Sequence, residues 1–192
     1  MTADDRTTAD DVTAADDVPA ADDVPAAGDA TAAEAPAARR TLVMYGDGVR
    51  DTARRMLPGL PEACFVPAGA ERLRAAARDG VAQVFLVAGM DEQVAVLDDA
   101  AALESITVDM DGGAVLAAEV AAAPTPRHAY GLWETAGKLG PCGRELCRRT
   151  AGELERLAAE AAGPDAGPVA AQVVLVDAAG ERMVGMYGRM AR

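Results

Sequence analysis

The sequence predicts an α/β fold: a single three-layer domain with a mostly parallel sheet and a C-terminal hairpin, preceded by a disordered acidic leader. The composition changes abruptly at Arg39 and Arg40. Beyond that point, apolar runs of strand length alternate with segments of helical periodicity, as in α/β proteins. The last two apolar runs flank a short polar turn, which is typical of a hairpin. We therefore divide the chain into a leader over residues 1–40 and one domain over residues 41–192.

The leader is an acidic repeat in which Ala-Asp-Asp recurs every six residues from Ala3 to Asp23. Residues 1–38 carry ten acidic side chains and one basic side chain, so they hold -9 of the total net charge of -13. Three valines are the only sizeable apolar side chains after Met1. Burying them cannot offset an ordering entropy of about 1–2 kcal/mol per residue. We predict that this segment is disordered.

The first half of the domain alternates strands and helices. Nearly continuous apolar runs are typical of strands buried on both faces, and glycine or proline separates them from segments with helical spacing. We predict strands at 41–45, 64–66 and 81–87, and helices at 49–57, 71–79 and 91–103.

The second half is predicted to contain two hairpins around two helices. Residues 106–110 form a strand, and Asp111-Gly112-Gly113 returns the chain to a second strand at 114–120. Helices follow at 130–139 and 141–162, the second with Pro141 at its first position. Strands at 171–176 and 183–187 close the domain through a turn in which Gly180 adopts the left-handed conformation.

Charge and composition exclude several classes of function. The acidic balance argues against nucleic acid, which requires a basic surface. The longest apolar run spans about ten residues and a membrane helix needs about twenty, so we expect no membrane association. The N-terminus lacks the positive and apolar regions of a secretory signal, and the three cysteines are too few for a disulfide framework. We expect a soluble, cytoplasmic protein.

Four residues are candidate ligands for a divalent metal ion. Asp47 lies in a Gly-Asp-Gly loop at the carboxyl end of the first strand, where ligands of α/β sheets gather. His128 is the single histidine, and it needs carboxylates such as Asp91 and Asp109 to complete a site. An alternative for Asp47 is a tight turn, and for Asp109 a hairpin turn. A calcium loop beginning at Asp109 is excluded, because Val120 stands where the bidentate acid is required.

Cys142 is a candidate reactive thiol. It lies in the first turn of the predicted helix 141–162, where aligned peptide dipoles lower the pKa of a thiol. Cys147 is five residues further on and faces another direction, so the pair is not a redox motif. The sequence around these cysteines also departs from the spacing of nucleobase deaminases.

One resemblance extends over much of the domain. The order strand, G-D-G-V, helix, buried strand, D-G-G-A-V and H-A-Y-G-L-W-E-T-A-G-K-L-G resembles the hydrogenase maturation endopeptidases. That family is an α/β fold that binds nickel and trims the C-terminus of the hydrogenase large subunit. The resemblance implies Asp47 as the first ligand and His128 as the third. The family's G-x-G-N lead-in is missing, and Ala88 occupies the position of its strand-end ligand, for which Asp91 or Asp109 could substitute.

Two hypotheses follow. In the first, the domain is a metal-dependent peptidase or hydrolase, a maturation factor whose nickel or zinc ion polarises a scissile carbonyl. In the second, it is a non-catalytic accessory or assembly protein that binds a protein partner through its α/β domain. Convergence of three side chains at one strand end, Asp47, His128 and either Asp91 or Asp109, distinguishes the first hypothesis from the second.

Overall fold

The computed structural model describes residues 40–99 and 101–189. The predicted disordered leader lies outside the described residues except for Arg40, and so do the last three residues of the chain. The limits predicted for the leader and the domain therefore stay predictions.

The described residues form one five-stranded sheet in the order β2-β1-β3-β4-β5. The first four strands run parallel, and β5 returns antiparallel to β4. This confirms the predicted mostly parallel sheet and its C-terminal hairpin. The strands are β1 Thr41–Tyr45, β2 Phe65–Pro67, β3 Gln83–Ala88, β4 Ala170–Val176 and β5 Met183–Gly188.

Seven α-helices within the described ranges connect and cover these strands. They are α1 Arg50–Met56, α2 Ala70–Arg78, α3 Met90–Leu97, α4 Ala102–Asp109, α5 Gly113–Ala121, α6 Pro126–Thr135 and α7 Leu139–Ala162. A short 3-10 turn at Glu62–Cys64 precedes β2. Between residues 40 and 189, none of the helices combines the length and the apolar character that a bilayer crossing requires.

The helices lie on both faces of the sheet, because alternate strand residues point to opposite sides. On one face, Val43 and Phe85 pack with Val49 and Ala53, which belong to α1 and the loop before it. On the other face, residues such as Leu86 join a larger core built from α2, α3, α6 and α7. All six residues of β3 are buried, as expected for a central strand covered on both sides. The predicted three-layer arrangement is confirmed.

The strand order creates a switch point between β1 and β3. The chain leaves β1 to form β2 on one side, and it then crosses back to form β3 on the other side of β1. Connections therefore diverge from the carboxyl ends of these two neighbours, which opens a crevice between the loops that follow them. Residues 46–49 form the loop after β1, and Gly89 leads from β3 directly into the first turn of α3, which contains Glu92.

The hairpin predicted over 106–120 is wrong, because this segment forms the two helices α4 and α5. Leu103, Ile106 and Thr107 are buried at helical spacing, whereas Val108 and Val115 are 56% and 77% exposed. Solvent-facing valines extended the apolar runs and produced the pattern of a strand.

The Asp-Gly-Gly sequence consequently makes a turn between helices rather than between strands. Asp111 and Gly113 both have positive φ angles, 55° and 80°. Gly112 lies so close to α4 that a Cβ there would approach the carbonyl oxygen of Thr107 to 2.7 Å. The helix predicted over 91–103 is likewise two helices, α3 and the start of α4.

Candidate functional site

A crevice of about 340 Å³ lies at the carboxyl ends of β1, β3 and β4. Its walls are residues 47–49 after β1, residues 89–92 after β3 and residues 176–180 in the turn between β4 and β5. Arg127 and Tyr130 of α6 complete the lining. The crevice therefore occupies the switch point, where open α/β sheets bind ligands.

Glu92 connects the two loops of the switch point. Its Oε1 accepts a hydrogen bond of 3.0 Å from the backbone N–H of Asp47. Two glycines leave room for its carboxylate: a Cβ on Gly46 would lie 2.7 Å from Oε1, and one on Gly89 would lie 3.2 Å from Oε2. The carboxylate is thus held between the ends of β1 and β3.

No sequence motif pointed to Glu92. The available signal was a glycine directly after each of the two strands, Gly46 after β1 and Gly89 after β3. A glycine at both ends indicates that something approaches the backbone closely there. The sequence does not reveal which side chain fills that space.

The turn between β4 and β5 is fixed against α1. Thr52 Oγ1 donates a buried hydrogen bond of 2.6 Å to the carbonyl oxygen of Gly180. Gly180 has a φ of 72°, as predicted, and a Cβ there would lie 2.5 Å from Val49 Cγ1, so this position requires glycine. Backbone N–H groups of Glu181 and Arg182 hydrogen-bond the Asp177 carboxylate and lower its pKa. This wall of the crevice is therefore held in place by contacts on both sides.

Tyr130 presents an ionisable group to the crevice. Tyr130 lies on α6 and is largely buried. Burial raises the pKa of its phenol, and the negative charges of Glu134 and Asp177 act in the same direction. The phenol therefore stays protonated at neutral pH and is available as a hydrogen-bond donor.

The four predicted metal ligands do not converge. Asp47 and Asp91 line the crevice and are exposed. Asp109 lies at the end of α4, where its carboxylate forms an ion pair of 2.5 Å with Arg149. His128 is exposed in the first turn of α6 and does not line the crevice. In residues 40–99 and 101–189, no group of three or more His, Cys, Asp or Glu side chains is placed to hold a metal ion.

The expectation of a reactive Cys142 is not supported by its surroundings. The helix begins at Leu139 rather than Pro141, and the N–H of Cys142 already bonds the carbonyl oxygen of Lys138. The side chain is completely buried, and burial raises the pKa of its thiol to about 11 although Lys138 acts in the opposite direction. Desolvation therefore outweighs the helix dipole, and the thiol stays protonated at neutral pH.

A second and larger cavity, about 630 Å³, lies beside the crevice on the face covered by α2, α3 and α7. Glu92 lines both cavities. Four apolar side chains from the sheet and the helices are at most 2% exposed and line this cavity: Met44, Leu73, Leu86 and Leu154. Glu92 is thus the residue that the two linings share.

Three curated relatives match the chain, and all are named cobalt-precorrin-5B C(1)-methyltransferase. The proteins of Salinispora tropica and Salinispora arenicola are each 38% identical over 176 residues, which cover 83% of this chain and 44% of the relative. The protein of Rubrobacter xylanophilus is 36% identical over 131 residues, 59% of this chain and 33% of its own length. The chain thus spans less than half the length of these relatives.

Two further comparisons found nothing similar. No protein-family model matches the sequence. No solved structure matches it either.

The relatives overturn the functional part of the sequence analysis. The resemblance to hydrogenase maturation endopeptidases is wrong, because all three relatives are named as methyltransferases. The expected metal-binding hydrolase or maturation factor is wrong for the same reason, and the alternative of a non-catalytic accessory protein is not supported. The partial motifs misled because G-D-G-V and a histidine opening a helix are short patterns, and the structure does not bring Asp47 and His128 into one site.

Proposed function

We propose that this chain takes part in the methylation of cobalt-precorrin-5B at C1 and that its switch-point crevice binds the methyl donor. The observation that carries this proposal is the 38% identity to two such methyltransferases over 83% of the chain. The position of the crevice supports it, because the carboxyl ends of parallel strands are the usual place for small ligands in this fold class.

The charge of the crevice suits a cationic donor. Asp47, Asp91 and Glu92 line it together with Asp177, against the single cation of Arg127 among the lining residues described. A sulfonium donor such as S-adenosylmethionine carries positive charge on the sulfur that bears the methyl group. Opposite charges 4 Å apart attract by about 1 kcal/mol in water and by about 4 kcal/mol near a protein surface. Several carboxylates therefore favour the donor here over an anionic ligand.

The same charges separate the two substrates. The acceptor is a tetrapyrrole with carboxylate side chains, so acidic walls repel it. We expect the acceptor ring to approach the mouth of the crevice while the donor occupies its interior. The nucleophilic carbon then forms a bond to the methyl group as the carbon–sulfur bond breaks, and the sulfur leaves as a neutral thioether. The domain contributes by holding the donor in one orientation, which is a major source of rate acceleration in such transfers.

Two measurements test the proposal. S-Adenosylhomocysteine, the product left by the donor, should bind the purified chain in isothermal titration calorimetry. Incubation with S-adenosylmethionine and cobalt-precorrin-5B should add the mass of one methyl group to the tetrapyrrole in mass spectrometry. Asp91→Asn should weaken the binding of S-adenosylmethionine, measured by the same calorimetry, by about two- to tenfold, since it removes one negative charge that attracts the sulfonium.

The matched control is Glu119→Gln. Glu119 is exposed on α5 and does not line either cavity, so its replacement removes the same charge without touching the crevice. Donor binding should be unchanged in this variant. A wild-type chain that neither binds S-adenosylhomocysteine nor methylates the tetrapyrrole would contradict the proposed function.

A further inference from the structure

The larger cavity has the size and the lining of a small-molecule binding site. Its volume of about 630 Å³ lies within the range of about 300–1,000 Å³ that is usual for small-molecule sites. The buried side chains of Met44, Leu73, Leu86 and Leu154 line its inner part. Apolar walls with a few placed polar groups are the general composition of ligand sites, and thioether groups pack well against aromatic rings.

We propose that this cavity binds the nucleoside part of the methyl donor, with the base against the apolar walls and the ribose hydroxyls on Glu92. The inference rests on the proposed function, which assigns the donor's charged end to the crevice. Glu92 lines both cavities, and we expect a molecule bound to it to extend from one into the other. The sulfur-bearing end would then lie next to Asp47 and Asp91.

Glu92 is well placed to receive hydroxyl groups. Its Oε1 is fixed by the N–H of Asp47, and Gly46 and Gly89 leave its carboxylate no competing side chain on that side. An ionised carboxylate has about four acceptor positions, so positions are left for two neighbouring hydroxyls of a ribose. A carboxylate that receives ribose hydroxyls beyond a strand end is a recurring arrangement in nucleotide-binding α/β folds.

The charged residues around the cavity favour a neutral nucleoside over a nucleotide. Arg74 is paired with Glu71, and Arg156 is paired with Glu153 and Glu160. The carboxylates in these pairs outnumber the two arginines, so the pairs leave no net positive charge for a phosphate. Asp98 adds a further negative charge to the lining. A phosphate group would therefore meet net repulsion, whereas adenosine would not.

A substitution at Ala95 tests the assignment. Ala95 lines the cavity from α3, and its side chain is exposed, so a leucine there fills the cavity without disturbing the core. Ala75 is also an exposed alanine, lies within α2 and lines neither cavity, so Ala75→Leu is the matched control. Leucine is a strong helix former, so both variants should fold.

Calorimetry with adenosine, ATP and S-adenosylhomocysteine gives the readout. Adenosine should bind the wild-type chain, compete with S-adenosylhomocysteine and bind more tightly than ATP. Ala95→Leu should weaken the binding of both adenosine and S-adenosylhomocysteine by about tenfold or more, because the leucine occupies space that the ligand needs. Ala75→Leu should leave both affinities unchanged. Glu92→Gln should weaken the binding of adenosine but not that of free adenine, which has no ribose.

The outcomes separate this inference from the proposed function. Tight S-adenosylhomocysteine binding that Ala95→Leu does not alter would overturn the nucleoside assignment and leave the methylation proposal standing. Tighter binding of ATP than of adenosine would also overturn it. Absence of S-adenosylhomocysteine binding in the wild type would overturn both.

Discussion

Replacing Thr107 with valine should lower the free energy of unfolding by about 1–3 kcal/mol. Trp133 is fully buried, and its indole N–H donates a hydrogen bond of 2.8 Å to Thr107 Oγ1. The hydroxyl of Thr107 in turn donates to the carbonyl oxygen of Leu103 at 2.7 Å. Valine has nearly the shape of threonine, so the substitution leaves the packing and removes the acceptor. The loss of about 1–3 kcal/mol is the cost of leaving the buried indole N–H of Trp133 without a hydrogen-bond partner.

Urea denaturation followed by tryptophan fluorescence measures this cost, and Trp133 is the only tryptophan in the chain. Thr150→Val is the matched control, because Thr150 is also fully buried on a helix but its Oγ1 has no hydrogen-bond partner among the described residues. Its replacement should be neutral or stabilising. Thr107→Val should also cost less in a Trp133→Phe background, followed by circular dichroism, since no indole N–H remains. Equal costs in the two backgrounds, or equal effects at Thr107 and Thr150, would refute the assigned hydrogen bond.

Two further predictions concern ionisable groups. Limiting iodoacetamide at neutral pH should label Cys64, which is 7% exposed, before Cys142 and Cys147. The last two are fully buried, and burial raises the pKa of the Cys142 thiol to about 11 and that of the Cys147 thiol to about 12. Preferential labelling of Cys142 in mass spectrometry would contradict this order. Hydrogen bonds from Arg148 and Arg149 lower the pKa of Glu145 below its ordinary value of 4.5. The contribution of Glu145 to stability is therefore complete above pH 4.5 and is lost as the pH falls through the lowered pKa. Glu145→Gln should therefore flatten the acid limb of stability against pH in urea titrations, and an unchanged slope would count against the assigned pairing.

The strands were predictable because their sequences contain little but strand-forming apolar residues. The predicted limits of β1 agree with the structure, and β3 lies within two residues of its prediction. The turn between β4 and β5 was also anticipated, because Gly180 must adopt a positive φ there. In these elements local propensity and tertiary burial favour the same conformation, which makes sequence patterns reliable.

Residues 102–121 were not predictable in the same way. A run of Ile, Thr and Val suits a strand by propensity, but here tertiary packing selects a helix that buries Ile106 and Thr107 and exposes Val108. The hydrogen bond between Trp133 and Thr107 contributes to that selection and joins residues 26 positions apart. Local patterns contain no information about such a partner.

The candidate site was predictable only where topology determines it. Asp47 was placed at a strand end from the sequence, and Asp91 lies at the same edge because the strands before them are neighbours in the parallel sheet. Asp109 and His128 belong to helices whose positions depend on packing, and they lie elsewhere. The role of Glu92 was missed because it depends on the space left by a glycine 46 positions earlier in the chain, at the end of a different strand.

The charges that line the crevice suggest how the two substrates of a methyl transfer would be kept apart. Among the described lining residues, Arg127 is the one cation, and its Nη2 donates to the carbonyl oxygen of Ala178 at 3.4 Å while the side chain remains exposed. On the proposed function, a carboxylate of the tetrapyrrole pairs with Arg127, while Asp47 and Asp91, which give the lining the opposite charge, attract the cationic sulfur. The cation and the carboxylates therefore attract the two oppositely charged substrates to different parts of the crevice lining. Arg127→Ala should then weaken the binding of the tetrapyrrole and leave the binding of S-adenosylhomocysteine intact. Loss of binding of both molecules in calorimetry would contradict this division of charge.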